Sequence, residues 1–272
     1  MASPDASSGK RDRAPLLDQN GVRLAVDDAI ATVTLTNPAK RNAQSPALWR
    51  ALAEAGRLLP GSVRVVVLRA EGKSFSAGLD RQAFTPEGFD GEPSFLDLAR
   101  GSDAELDATI AEYQEAFTWW RRNDLVSIAA VQGHAIGAGF QLALACDLRV
   151  VADDVQFAMR ETSLGLVPDL TGTHPLVGLV GYARALEICL TGRFVGAEEA
   201  VATGLANIAV PLDQLDAAAR DLASAVLAAP RDAVVETKAL LRGAQQRSYE
   251  EQRAAERQAQ ARRLRDLAGI GE

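Results

Sequence analysis

The run Gly133-His-Ala-Ile-Gly137-Ala-Gly139-Phe-Gln141-Leu-Ala-Leu-Ala-Cys-Asp147 carries an apolar strand through a glycine-rich turn and straight into a helix. Glycine permits the tight or left-handed backbone that such a turn needs, and lets a ligand come close to the main chain. The first helical turn leaves N–H groups without partners at the positive end of the helix dipole. Such a site can hold an oxyanion or a polarised carbonyl. The first expectation is therefore chemistry on a carbonyl.

The elements that must position this turn are legible on either side of it. Leu24–Val26 and Ala31–Thr36 read as a strand pair, the second with period-two alternation, and Asn37-Pro38 ends it. Ser45-Pro46 opens a helix with Leu48, Leu52 and Ala55 on one face. Val63–Leu68 and Val126–Val131 are nearly continuous apolar runs, as strands buried on both faces require. Residues 70–80 read as a loop, and residues 81–101, rich in Gly, Pro and Asp, as a mobile surface segment. A helix is expected over Ser102–Arg122, then short strands at Leu148–Ala152 and Val155–Ala158. An almost wholly helical pattern follows from Gly172, ending in a polar helix near Arg247–Leu267. Strand, strand, helix, repeated and then helical, describes an α/β chain.

Composition narrows the function classes. The chain has 272 residues, 47% hydrophobic, with 29 basic and 36 acidic residues for a net charge of −7. No basic face for nucleic acid is evident, and no apolar run approaches a membrane span. The polar stretch from Met1 to Asn20 lacks a signal-peptide core and reads as a disordered tail, which gives a cytoplasmic expectation. Cys146 and Cys189 lie in apolar helical patterns, so no disulfide framework is expected. Gly72-Lys73-Ser74 lacks the earlier glycine of a phosphate-binding loop, that position being Val67. Gly137-Ala-Gly139 lacks the third glycine of a dinucleotide fingerprint. Gly72–Ser76 lacks the closing glycine of a serine hydrolase elbow, and two histidines, His134 and His174, give a triad or a histidine metal site little to draw on.

Four segments in register resemble the crotonase superfamily, the enoyl-CoA hydratase/isomerase family. They are Asn37-Pro-Ala-Lys-Arg-Asn-Ala43, Phe75-Ser-Ala-Gly-Leu-Asp80, Gly133 through Asp147, and Phe157-Ala-Met-Arg-Glu161-Thr-Ser-Leu-Gly165-Leu-Val-Pro168. The resemblance spans roughly residues 22–245. It implies an α/β crotonase (ClpP-like) fold, with repeated ββα turns forming a spiral core over 21–205. A C-terminal helical region at 206–272 would serve oligomerisation, as a homotrimer or a hexamer made of two trimers. It implies an acyl-CoA thioester as substrate, with no metal or redox cofactor and coenzyme A as part of the substrate. The backbone N–H groups of Leu79 and Ala138 match the family's oxyanion donors; otherwise they are ordinary loop and helix-start residues. Lys40, Arg41 and Ala43 lie where the family meets pantetheine and phosphates, although Lys40 and Arg41 read equally well as solvated charges. Ala77 and Asp80 flank the adenine-binding turn, and Gly78, Gly137, Gly139 and Leu164 complete the expected substrate contacts. Phe84, Phe89, Phe95, Trp119 and Trp120 fall where the family sets acyl-chain length, though tryptophans on a helix are commonly core.

The pattern departs from the family at one acid. Where family hydratases carry two glutamates, this chain has Gln141 and Glu161. Gln141 can orient water but cannot take up a proton; Glu161 can act as general base, or else pair with Arg160. Asp169 matches a second proton carrier of some family isomerases, or caps the loop ahead of Thr171 and Gly172. Three functions stay open: an enoyl-CoA isomerase with Glu161 as base, a 2-enoyl-CoA hydratase with Gln141 positioning water, and a non-catalytic acyl-CoA carrier or sensor.

Overall fold

The computed structural model describes residues 15–89 and 92–271. Its strands and helices run β1 (Leu17–Gln19), β2 (Val22–Asp27), β3 (Ile30–Leu35), α1 (Pro46–Leu58), β4 (Val65–Ala70), α2 (Phe95–Leu98), α3 (Asp103–Thr118), β5 (Val126–Val131), β6 (His134–Ile136) and α4 (Ala138–Ala145). They continue as β7 (Leu148–Ala152), β8 (Gln156–Ala158), α5 (Thr173–Val180), α6 (Tyr182–Thr191), β9 (Val195–Gly196), α7 (Ala197–Ala202), β10 (Ile208–Val210), α8 (Leu215–Ala228), α9 (Arg231–Gly243) and α10 (Tyr249–Leu267).

A seven-stranded sheet has the order β1-β2-β3-β4-β5-β7-β10, antiparallel through β3 and parallel beyond it. A smaller sheet orders β6-β8-β9. Single bridges extend its pairing outward, Ser76 to Ala135 and Gln44 to Leu79, both parallel. Each pass of the chain thus lays one strand in the large sheet and then one short extended segment beside the previous pass. β4 leads to residues 76–79, β5 to β6, and β7 to β8. That stacking is what sets Gly78, Gly137 and Glu161, far apart in the chain, on adjacent passes.

The continuous apolar strands β4 and β5 are buried along nearly their whole length, as their composition requires. One core, between the sheets and α1, α3 and α4, holds Phe75, Phe117, Trp120, Phe140 and Phe157. Burying an aromatic of this size stabilises by about 3 kcal/mol. Trp119 and Trp120 belong to this packing: Trp120 is fully buried, and Trp119 donates from Nε1 to the Leu52 carbonyl at 3.0 Å. A second core lies on the other face of the large sheet, where Leu215, Ala219 and Ala223 of α8 cover Val65, Val67, Ile128 and Val150.

Three expectations from sequence are corrected. Leu17–Gln19 lies inside the stretch read as a tail, yet it pairs antiparallel with β2. Asn20 and Gly21 both take positive φ, 51° and 78°, which is the hairpin turn that Asn-Gly favours; residues 1–14 of that tail lie outside the described residues. The helical pattern after Gly172 is interrupted by β9 and β10, the latter adding a parallel edge to β7 beyond residue 205. Within 81–101, Arg81–Phe84 forms a 3-10 turn, and α2 packs Phe95 against Phe84 and Tyr113. Residues 90 and 91 of that segment are likewise outside the described residues. No helix among the described residues is long and apolar enough to cross a membrane.

Candidate active site

The glycine turn is built as its composition demands. Gly137 precedes α4 at φ 51°, ψ −118°, a backbone that a side chain would strain. It supplies no side-chain cap, so the N–H of Ala138 opens the helix without an intrahelical acceptor. On the preceding pass, Gln44 donates its N–H to the Gly78 carbonyl at 2.8 Å, and Asp80 donates to the Gln44 carbonyl at 2.8 Å. That bridge turns the N–H of Leu79 away from Gln44 and toward the next pass. Neither the Leu79 nor the Ala138 N–H donates to a protein acceptor among the described residues. Gly78 has φ 85°, and a Cβ there would lie 2.4 Å from the Ile136 carbonyl oxygen and 3.6 Å from the Ala138 nitrogen. The Leu79 amide follows that point by a few covalent bonds, so the two free amides sit on neighbouring, touching passes. Gly139 has the same origin in close packing: its Cβ would meet Ser76 at 2.7 Å.

Glu161 occupies the third pass, at the start of a 3-10 turn after β8. A Cβ on Gly137 would lie 3.3 Å from its Oε1 and 3.6 Å from its Oε2, so the carboxylate stands directly beside the glycine turn. The residue is 9% exposed, and its Oε2 is buried with no hydrogen-bond partner. Burial is the main cause that raises its pKa above the ordinary glutamate value, and the charge of Asp169 adds to it; the Gln141 hydrogen bond works the other way. No ion pair joins Glu161 to Arg160, whose guanidinium instead lies over the Phe194 ring at 5.1 Å.

Gln141, 1% exposed, is held at both ends of its amide. Its Oε1 accepts from the Leu170 N–H at 2.9 Å and the Gly172 N–H at 3.2 Å, and its Nε2 donates to Glu161 Oε1 at 2.6 Å. Gly172 is small of necessity, since a Cβ would lie 2.7 Å from Gln141 Cγ. Asp169 is exposed at the surface while the protein behind it partly desolvates its carboxyl and raises its pKa. Its carbonyl accepts from Gln114 Nε2 at 2.6 Å. Its carboxylate is favoured only by its own backbone N–H, and the Gly172 N–H donates to Gln141 instead, so Asp169 does not cap the Thr171–Gly172 turn.

The remaining candidates divide into one row and one outlier. Ala77 donates its N–H to the Arg41 carbonyl at 2.9 Å, and Lys40 Nζ meets Asp80 Oδ2 at 3.2 Å. Lys40, Arg41, Ala43, Ala77, Gly78 and Asp80 thus form one edge leading to Leu79. Leu164 lies on the 3-10 turn after Glu161 and is 62% exposed. Reasoning from sequence passed over the side chains that hold this edge. Asn42, fully buried, accepts from the Asn37 N–H and donates to the Glu71 and Ser74 carbonyls, each at 2.9 Å. Trp49 donates to Gln44 Oε1 at 2.7 Å, Gln44 donates to Ser76 Oγ at 3.2 Å, and that Oγ accepts from the Gly78 N–H at 3.2 Å. Asn42 and Ser76 both stand inside motifs read for other residues, and their polar character at buried positions was the available signal.

Two unpaired amides beside a partly desolvated carboxylate can stabilise an enolate while a proton is removed next to its carbonyl. Known proteins point the same way. A family model described as enoyl-CoA hydratase/isomerase matches residues 25–266. A Bacillus subtilis protein named as a probable enoyl-CoA hydratase is 34% identical over 194 residues, 70% of this chain and 69% of its own length. The human mitochondrial Delta(3,5)-Delta(2,4)-dienoyl-CoA isomerase is 32% identical over 214 residues, 77% of this chain and 64% of its own. A Thermobifida fusca structure described as an enoyl-CoA hydratase, in complex with CoA, superposes with a TM-score of 0.87 at 49% identity, covering 92% of this chain and 95% of that one. A structure of the same description holds acetoacetyl-CoA and matches with the same TM-score and identity, over 90% and 95% of the two chains.

Proposed function

The chain belongs to the enoyl-CoA hydratase/isomerase family, and from that premise we propose that it moves the double bond of an enoyl-CoA thioester, with Glu161 as the base. Its fold is the α/β crotonase fold, and it is an enzyme of that family acting on acyl-CoA thioesters. The thioester oxygen is held by the N–H groups of Leu79 and Ala138. The ionised Glu161 takes a proton from C2 of a 3-enoyl-CoA. The C2–H electron pair enters the conjugated system, and the negative charge settles on the thioester oxygen. C4 then accepts the proton as the pair of the former C3–C4 double bond forms the new C4–H bond, leaving a 2-enoyl-CoA and restoring the carboxylate. Such oxyanion donors contribute on the order of 3 kcal/mol each to the transition state.

The observation that carries this reading is the state of Gln141. An amide oxygen has two lone pairs, and both face backbone N–H groups, of Leu170 and Gly172. Gln141 therefore has no acceptor left for a water proton and cannot titrate, while Glu161 keeps one oxygen free. A single carboxylate suffices for a 1,3-proton shift. Asp169 is close enough to raise the Glu161 pKa through its charge, and so tunes the base in this scheme.

The second reading, hydration of a 2-enoyl-CoA, draws on the hydratase names of relatives and on the remaining N–H of Gln141, which is free to donate to a water. The two are separated by incubating the protein with 3-enoyl-CoA and, in parallel, with 2-enoyl-CoA. Conjugation of the first substrate, lost in Glu161→Ala, supports isomerisation. A 3-hydroxyacyl-CoA product from the second, with a faster rate in Gln141→Glu, replaces that reading with hydration.

A further inference from the structure

The helix that presents Ala138 is only eight residues long, and all eight are buried. Its C-terminal carbonyls have no intrahelical donors, and two arginines from elsewhere in the chain meet them. Arg121, at the end of the turn after α3, donates from Nε to the Ala145 carbonyl at 3.2 Å and from Nη2 to the Leu144 carbonyl at 2.8 Å. Arg149, on β7 and 1% exposed, donates from Nη1 to the Cys146 carbonyl at 2.8 Å and from Nε to the Leu205 carbonyl at 2.6 Å. Buried charges are ordinarily paired with an opposite charge. Among the described residues, neither guanidinium forms an ion pair with a carboxylate. The nearby Asp147 is engaged elsewhere, with Oδ2 accepting from Ser127 and from Lys238 Nζ. The Asp147 charge favours the ionised form of both without pairing with either, and the negative end of the α4 dipole answers them as well.

We propose that Arg121 and Arg149 are positioning residues for the oxyanion site, a cationic collar that fixes α4 by its C-terminal end and strengthens Ala138 as a donor at the other. The collar and the Ala138 N–H are the two ends of one rigid rod about 12 Å long. Satisfying the last carbonyls keeps that short helix wound to its first residue. The collar's positive charge lies in low-dielectric surroundings and adds to the potential felt by an enolate at the N-terminus. Burial lowers the pKa of both groups, that of Arg149 to about 10, which leaves both charged at neutral pH. This inference rests on the reading of Leu79 and Ala138 as oxyanion donors.

Acetoacetyl-CoA provides the test, because its enolate is seen directly by ultraviolet absorbance and needs no turnover. The full-length protein is saturated with it at one fixed pH, and the ratio of enolate to keto form is measured for wild type, Arg121→Met, Arg121→Lys and Arg149→Lys. Arg121 is the informative position, being only partly buried. Thermal denaturation reports which variants fold, and the ratio is read only on saturated, folded protein. The expected result is a fall of roughly threefold in the bound ratio for Arg121→Met, with the lysine variants closer to wild type and affinity for CoA unchanged. An unchanged ratio in folded Arg121→Met overturns the collar while leaving the oxyanion site intact. A wild-type protein that binds acetoacetyl-CoA wholly in its keto form overturns the oxyanion reading itself, and the collar with it.

Discussion

Glu161 is costly to the fold in the state in which it is useful to the reaction. Burial raises its pKa, so over the interval between the ordinary carboxylate value and the raised one the folded protein binds more protons than the unfolded chain. Stability therefore falls as pH rises through that interval, and the penalty is complete above it. Glu161→Gln removes this titration. Thermal denaturation across pH should show the variant gaining on wild type as pH climbs from about 4 to neutrality; a constant difference would mean that Glu161 titrates normally. Activity runs the opposite way, since only the ionised form is a base. The acid limb of kcat/KM is expected above the ordinary glutamate value of about 4.3. Because Asp169 contributes to the shift, Asp169→Asn should move that limb to lower pH; a limb that stays in place would remove Asp169 from the electrostatics of the site.

At the scale of elements, α9 is tied by a buried contact to the turn between α4 and β7. Lys238 of α9 donates from Nζ to Asp147 Oδ2 at 2.6 Å and to the Leu125 carbonyl at 2.7 Å. Lys238→Met leaves Asp147 with only its Ser127 bonds, and should cost about 3 kcal/mol in urea denaturation; a loss below 1 kcal/mol would show that Asp147 finds water or another partner. Which elements could be read in advance follows from the same distinction between local and distant causes. β4 and β5 were legible because burial on both faces writes itself as an unbroken apolar run. α1 was legible because Ser45 caps it and Pro46 starts it. β9 and β10 were hidden, being two or three residues long and strands only through pairing with β8 and β7. The site divides in the same way. Gly137, Ala138 and Glu161 stand in recognisable motifs. The clamp on Gln141 comes from main-chain N–H groups at 170 and 172, and main-chain donors carry no residue signature. Arg121 and Arg149 read as ordinary charges until the end of α4 is placed against them.

At the scale of the whole molecule, large apolar side chains are exposed on the elements beside the site. Leu164, Leu166 and Val167 follow Glu161 directly, and Val177, Leu186, Leu190 and Phe194 lie on or beside α5 and α6; all are exposed. α6 packs against the turn that carries Glu161, and α5 against α6, so these residues occupy neighbouring elements. Contiguous apolar patches beyond a few hundred Å² are uncommon on monomers and mark contact surfaces. Scattered apolar residues would need no such account, but these fall on or beside the Glu161 turn and on the elements packed against it and one another. The trimer implied by the resemblance is therefore kept as a proposal, with this band as the surface that supports it. Sedimentation velocity of the wild type at micromolar concentration should give a trimer or a multiple of it. Leu190→Arg, which puts a charge on a side chain that is 63% exposed, should fold normally and shift the protein toward monomer. Turnover should fall with it, because Leu164 at the rim then faces water and the carboxylate of Glu161 loses part of its desolvation. A wild type that sediments as a monomer would remove the band's role in assembly. A monomeric Leu190→Arg with undiminished turnover would show that one chain alone completes the site.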